Sequence, residues 1–197
     1  MTERDRTRTA ATLLAVGALT WLPARWGVMT TWDVPWLGLD YAAWNRLTLF
    51  PLALLTLGAA TAFRLTTRRS ASIGWAVVAV GFGLSWVGVA LEFGVGGGLQ
   101  GGPHGIAVAG WTVYLLGMAV TAAGSLVLAA ALARRDAVAA LAAGSVAVAF
   151  LAWPLLLAVG QDALAVADHL VVAVPWLVLA ARLQRSPTRE RVPAPSV

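Results

Sequence analysis

The chain contains no cysteine and no lysine. Without cysteine there can be no disulfide, no thiolate metal site and no cysteine nucleophile. Without lysine no Schiff base can form, which excludes a retinal-type chromophore. Charge is scarce as well. Charged residues make up 12% of the chain, about half the roughly 25% usual in a soluble domain. The zinc-protease pattern H-E-x-x-H is missing. The glycine runs at 96–98 and 101–102 are followed by no lysine, so they are not a phosphate loop. Gly124-Ser125 and Gly144-Ser145 lie in apolar stretches with no histidine at their depth, which leaves a serine nucleophile without a base.

What the chain has is apolar surface. Hydrophobic residues make up 59% and the mean hydropathy is +0.78. The excess recurs as six blocks separated by polar or turn-forming residues, and each block approaches the roughly 20 residues needed to cross a bilayer. The blocks run about 10–28, 45–63, 73–95, 106–132, 137–159 and 163–181. The sequence therefore predicts an all-α integral membrane protein, with one six-helix membrane domain over 10–182. A short N-terminal segment, 1–9, precedes it, and a disordered basic tail, 183–197, follows. The first block reads as a transmembrane helix and not as a signal peptide, since it is long, carries Trp21 and Trp26, and lacks a small-residue cleavage site. Richness in Ala, Val and Gly with Arg as the sole strong base points to a GC-rich prokaryotic genome.

Orientation follows from the arginines. With both termini in the cytoplasm, Arg4, Arg6, Arg8, Arg64, Arg68, Arg69, Arg134, Arg135, Arg182, Arg185, Arg189 and Arg191 fall inside, and only Arg25 and Arg46 fall outside. That bias in short loops is the positive-inside signature of a multi-pass cytoplasmic (inner) membrane protein. It also accounts for the isoelectric point near 11.2 without nucleic acid, because the arginines flank hydrophobic spans where they meet lipid headgroups. Tryptophan is skewed the other way. Trp21, Trp26, Trp32, Trp36, Trp44, Trp86, Trp111 and Trp153 map to the outer half, either as an aromatic belt or as a lid over an outer cavity.

Helices in lipid associate through small residues, since lipid tails are as apolar as leucine. Gly81, Ser85, Gly88 and Glu92 share one face of the third span, which should touch another helix. Gly110, Gly117, Thr121 and Gly124 form a similar run in the fourth. The pattern Gly74-Trp75…Gly81 recurs as Gly110-Trp111…Gly117, which is compatible with an internal duplication.

Ionisable residues at membrane depth suggest function by default. Glu92 lies near the outer end of the third span, and Asp168 and His169 near the outer end of the sixth. Arg25 and Arg46 lie at matching depth. Three readings compete. In the first, Glu92 and Asp168 pair with Arg25 and Arg46 and hold the helix ends in register. In the second, Glu92, Asp168 and His169 form an outward-facing proton, cation or solute site, with Pro175 loosening the sixth span. In the third, His104 and His169 with a carboxylate hold a metal. The first reading, preferred here, makes the chain an accessory protein without enzymatic activity or cofactor. Its partners would be the bilayer and another membrane protein or a second copy. The alternative is a small transporter or membrane enzyme.

Overall fold

A computed structural model describes residues 2–99 and 102–185. The described residues form helices and connecting turns, with one isolated bridge between Trp36 and Leu39. The helices are α1 (Glu3–Thr30), α2 (Tyr41–Leu47), α3 (Leu49–Leu65), α4 (Arg69–Val89) continued by a π-helical segment (Ala90–Val95), α5 (His104–Leu132), α6 (Ala137–Ala158), α7 (Asp162–Val171) and α8 (Ala173–Arg185).

Five helical stretches are long and apolar enough to cross a membrane: Tyr41–Leu65, Arg69–Val95, His104–Leu132, Ala137–Ala158 and Asp162–Arg185. The first expected span, α1, is not among them. Its opening turns carry Glu3, Arg4, Asp5, Arg6 and Arg8, and its last turns carry Pro23 and Arg25. The polar segment expected at 1–9 is helical from Glu3 because Thr2 and Asp5 make a capping box. Asp5 N–H donates to Thr2 Oγ1 at 3.2 Å, and Thr2 N–H donates to Asp5 Oδ2 at 2.9 Å. These satisfy N–H groups that have no partner within the helix. The bonds to Thr2 also hold the Asp5 carboxyl below its usual pKa, so the cap persists at neutral pH and is lost as the medium turns strongly acid. The expected tail is helical through Arg185. Arg189 and Arg191 lie outside the described residues.

Two of the membrane-length stretches are interrupted, and in the same way. The first, Tyr41–Leu65, breaks at Thr48, three residues before Pro51, and the last at Val172, three residues before Pro175. A proline at position i supplies no N–H to the carbonyl of i−4, and its ring crowds that carbonyl. The carbonyls in question belong to Leu47 and Val171, the final residues of α2 and α7. Pro175→Ala is expected to join α7 to α8 and slow amide exchange at Val172 and Ala173. Unchanged exchange would show that packing, not the proline, holds the break.

Two seams assemble the bundle. α1 lies antiparallel to α3: a Cβ built on Gly17 would sit 2.9 Å from Leu55 Cγ, and one on Gly58 2.8 Å from Leu14 Cγ. The α4–α5 seam is closer, backbone against backbone. A Cβ on Gly74 would meet Leu128 Cα at 3.0 Å, one on Gly81 the Gly117 carbonyl at 2.8 Å, and one on Gly88 the Gly110 carbonyl at 2.7 Å. The expected face of the third span, Gly81, Ser85, Gly88 and Glu92, is thus the face laid on α5. The repeated Gly-Trp pattern has a packing cause, since Gly74, Gly81, Gly110 and Gly117 all serve this one antiparallel seam.

Between the seams a run of aromatic rings crosses the core. Trp111, Tyr114, Trp153, His169, Trp21, Phe150, Phe82, Trp176 and Trp75 follow one another at centroid separations of 4.7 to 6.4 Å. Such ring pairs prefer tilted and edge-to-face contacts, and they fill the volume that the glycine seams leave on the other side of α4 and α5.

Candidate functional site

At the tryptophan-rich end the helices diverge around a cavity of about 550 Å³. Eight segments wall it: α1 (Arg25, Val28, Met29), the following loop (Trp32, Asp33), α2 (Tyr41, Asn45), the end of α4 with its π segment (Val89, Glu92, Phe93), the turn after it (Leu99), α5 (Trp111, Tyr114), α6 (Trp153, Leu157) and α7 (Asp162, Val166). Asp33 and Asp162 are exposed, so the cavity reaches the surface. A second cavity of about 300 Å³ shares Trp32, Asp33, Tyr41, Phe93 and Leu99 with it and extends toward Pro35 and Asp40.

Local sequence builds each wall. Asp40 caps α2 by accepting from Ala43 N–H at 2.7 Å, which starts the helix that carries Tyr41 and Asn45. Gly27 leaves room for the Trp44 ring, which would overlap any Cβ there. Trp44 in turn stacks on Trp36 at 5.2 Å. The π segment contributes Glu92 and Phe93, and it is closed by Gly96 N–H donating to the Leu91 carbonyl at 2.8 Å and Gly98 N–H to the Glu92 carbonyl at 2.7 Å. Gly97 and Gly98 have φ of +69° and +84°, a left-handed exit from a helix that glycine adopts without strain. π-turns interrupt helices mostly at functional sites.

Arg25 is only 3% exposed. Its guanidinium carbon lies 5.5 Å from the Trp21 ring centroid and 5.8 Å from that of Trp153, within cation–π range. No carboxylate is within ion-pair distance of it among the described residues, and Arg25 Nε has no hydrogen-bond partner. Glu92, also 3% exposed, is likewise unpaired among the described residues. The Tyr114 hydroxyl and the Trp153 indole N–H are buried without partners too. Arg25, Glu92, Tyr114 and Trp153 therefore line one cavity with no ion pair or hydrogen bond among them, and Arg25 Nε, the Tyr114 hydroxyl and the Trp153 N–H are buried without a partner.

The five residues singled out from sequence separate. Arg25 and Glu92 meet in the cavity but do not form the expected pair. Arg46 joins no carboxylate: its Nε donates to the Phe93 carbonyl at 2.9 Å. That carbonyl belongs to the last turn of the helix, where acceptors are unsatisfied and a cation is favoured. Asp168 is half-buried with Oδ2 unpartnered, off the cavity wall. His169 is 1% exposed, stacked on Trp153 at 4.7 Å and against Trp21 at 5.1 Å. It stands one ring behind the cavity. Its Nε2 has no partner, while Trp21 Nε1 donates to its carbonyl at 2.9 Å. His104 is exposed at the first position of α5. Among the described residues no three His, Asp or Glu side chains gather into a group that could hold a metal ion.

Sequence reasoning missed Tyr41, Asn45 and Tyr114 as wall residues. Tyr114 was within reach, since it follows Trp111 by three positions on the same helix face. Of the tryptophans, Trp32, Trp111 and Trp153 line the cavity, while Trp26 and Trp86 are exposed on the flank of the bundle, as belt residues are.

No protein-family model, curated protein or solved structure matches this chain.

Proposed function

We propose that the chain is a small carrier of the cytoplasmic membrane, with six spans and both termini inside, that takes a solute from the outer face into the Arg25–Glu92 cavity. The observation that carries this reading is the pair of buried, opposite, unpartnered charges lining one surface-connected cavity. A structural pair would be closed by direct contact, because burying an unpaired charge costs several kcal/mol, roughly. Such groups persist when something else satisfies them.

Two further features support it. α2 and α7, the short helices that end at the proline breaks, both contribute walls, so a change of angle at Thr48 or Val172 would move a wall of the cavity against the bundle. α1 supports the six-span count despite its charges: Leu14, Ala18 and Trp21 are buried in the bundle core, at the depth where α3 packs.

The accessory reading keeps one observation of its own. The loop tip exposes Trp32, Val34 and Leu37, at 53, 67 and 74%, which suits lipid headgroups or a membrane partner.

The absence of cysteine makes the test direct. In right-side-out spheroplasts, a membrane-impermeant maleimide is expected to label Val166→Cys in the cavity wall but not Ala147→Cys in the dry core. Arg134→Cys should react only after permeabilisation. An unlabelled Val166→Cys would close the cavity and return the chain to the accessory reading. Labelling of Arg134→Cys in intact spheroplasts would invert the topology.

A further inference from the structure

We propose that the solute is a zwitterion with an apolar body, its anionic group on Arg25 and its ammonium on Glu92. This rests on the carrier reading and names the class of solute.

The two buried charges of the cavity argue for it, since Asp33 and Asp162, which also line it, are exposed and remain solvated. Arg25 and Glu92 line the same space yet form no ion pair, so a ligand can sit between them. A simple anion would satisfy Arg25 and leave Glu92 buried and unpaired, and a simple cation would do the reverse. Either leftover charge opposes binding, because a buried ion without a partner is costly. A molecule carrying both charges satisfies both residues and adds no net charge to the interior. The guanidinium is also held in place before any ligand arrives, between the Trp21 and Trp153 rings, which lowers the ordering cost of binding.

The remaining walls describe the rest of the molecule. Val89, Phe93, Trp111, Leu157 and Val166 are apolar, which suits an apolar body on the ligand. A cavity of about 550 Å³ lies within the range of small-molecule sites.

Three matched probes test the class on the full chain in phosphatidylglycerol nanodiscs. Phenylalanine carries both charges, 3-phenylpropionate lacks the ammonium, and 2-phenylethylamine lacks the carboxylate. Calorimetric titration is expected to show phenylalanine bound at least about tenfold more tightly than either single-charge analogue, as sites built to pair a group reject ligands lacking it. Glu92→Gln should erase the preference over 3-phenylpropionate, and Arg25→Gln the preference over 2-phenylethylamine. The wild-type comparison stands even if a variant fails to fold. A single-charge analogue binding as tightly as phenylalanine, or no binding of any probe, would overturn the zwitterion. The carrier reading would still stand on the labelling of Val166→Cys. A zwitterionic lipid headgroup presents the same chemistry, so the titration is repeated with phosphatidylethanolamine in the disc. Competition assigns the site to the lipid, and its absence assigns the site to a free solute.

Discussion

Gly88→Ala is expected to destabilise the bundle by about 3 kcal/mol, the upper end of ordinary overpacking penalties, whereas Gly105→Ala should stay within about 0.5 kcal/mol. The contrast comes from what a new Cβ would meet. At Gly88 it would lie 2.7 Å from the Gly110 carbonyl oxygen and 2.7 Å from Tyr114 Cα. Both are backbone atoms of α5, so no side chain can turn aside, and α4 and α5 must separate along the seam. At Gly105 nothing lies within 4 Å. The effect reaches the cavity as well, because the same seam sets Tyr114 opposite Glu92. A Cβ on Gly110 would press on Glu92 Cα at 2.8 Å. Thermal unfolding of both variants in one detergent checks the prediction. Equal midpoints would mean that the seam is looser than its geometry and that helix contact lies elsewhere.

The second large effect has the opposite sign. Arg25→Met is expected to stabilise the protein by about 1–3 kcal/mol while abolishing solute binding. Removing the guanidinium gives up cation–π attraction to Trp21 and Trp153, worth up to about 2 kcal/mol in a desolvated setting. It also removes a buried charge that no carboxylate neutralises, whose effective desolvation cost is several kcal/mol, roughly. The second quantity is larger, and methionine fills much of the space with an adaptable apolar chain. A gain in stability bought with lost function is the signature of a binding group retained against the fold's own interest. A lower unfolding temperature in Arg25→Met would instead make Arg25 a structural pillar between its two rings.

The helices were legible because lipid imposes length and polarity together. A run such as 106–132 leaves no other reading, and α5 begins within two residues of it. That this face of α4 meets a helix was legible for a similar reason, as Gly81 and Gly88 on one face have few uses other than close approach, but which helix it meets was not. Partnership was not legible. The matching depth of Arg46 and Glu92 suggested a pair, yet depth fixes one coordinate of three. Around the bundle axis Arg46 turns to the Phe93 carbonyl, an acceptor that appears only once the π segment has ended the helix. The same limit misplaced His169. Its position next to Asp168 in sequence suggested one site, but adjacent helical residues point about 100° apart, and His169 turns into the ring stack while Asp168 does not.

The run of rings from Trp111 to Trp75 also changes what light would report. Trp111 and Trp153, with ring centroids 5.9 Å apart, are close enough to share excitation, as are Trp75 and Trp176 at 6.4 Å, whereas the phenylalanine and histidine rings between the two pairs absorb at higher energy and pass none along. A quencher resting against Trp111 in the Arg25–Glu92 cavity would dim Trp153 along with it. The fluorescence of Trp75 and Trp176, at the other end of the ring run, would stay bright, an internal reference against which the filling of the cavity is read.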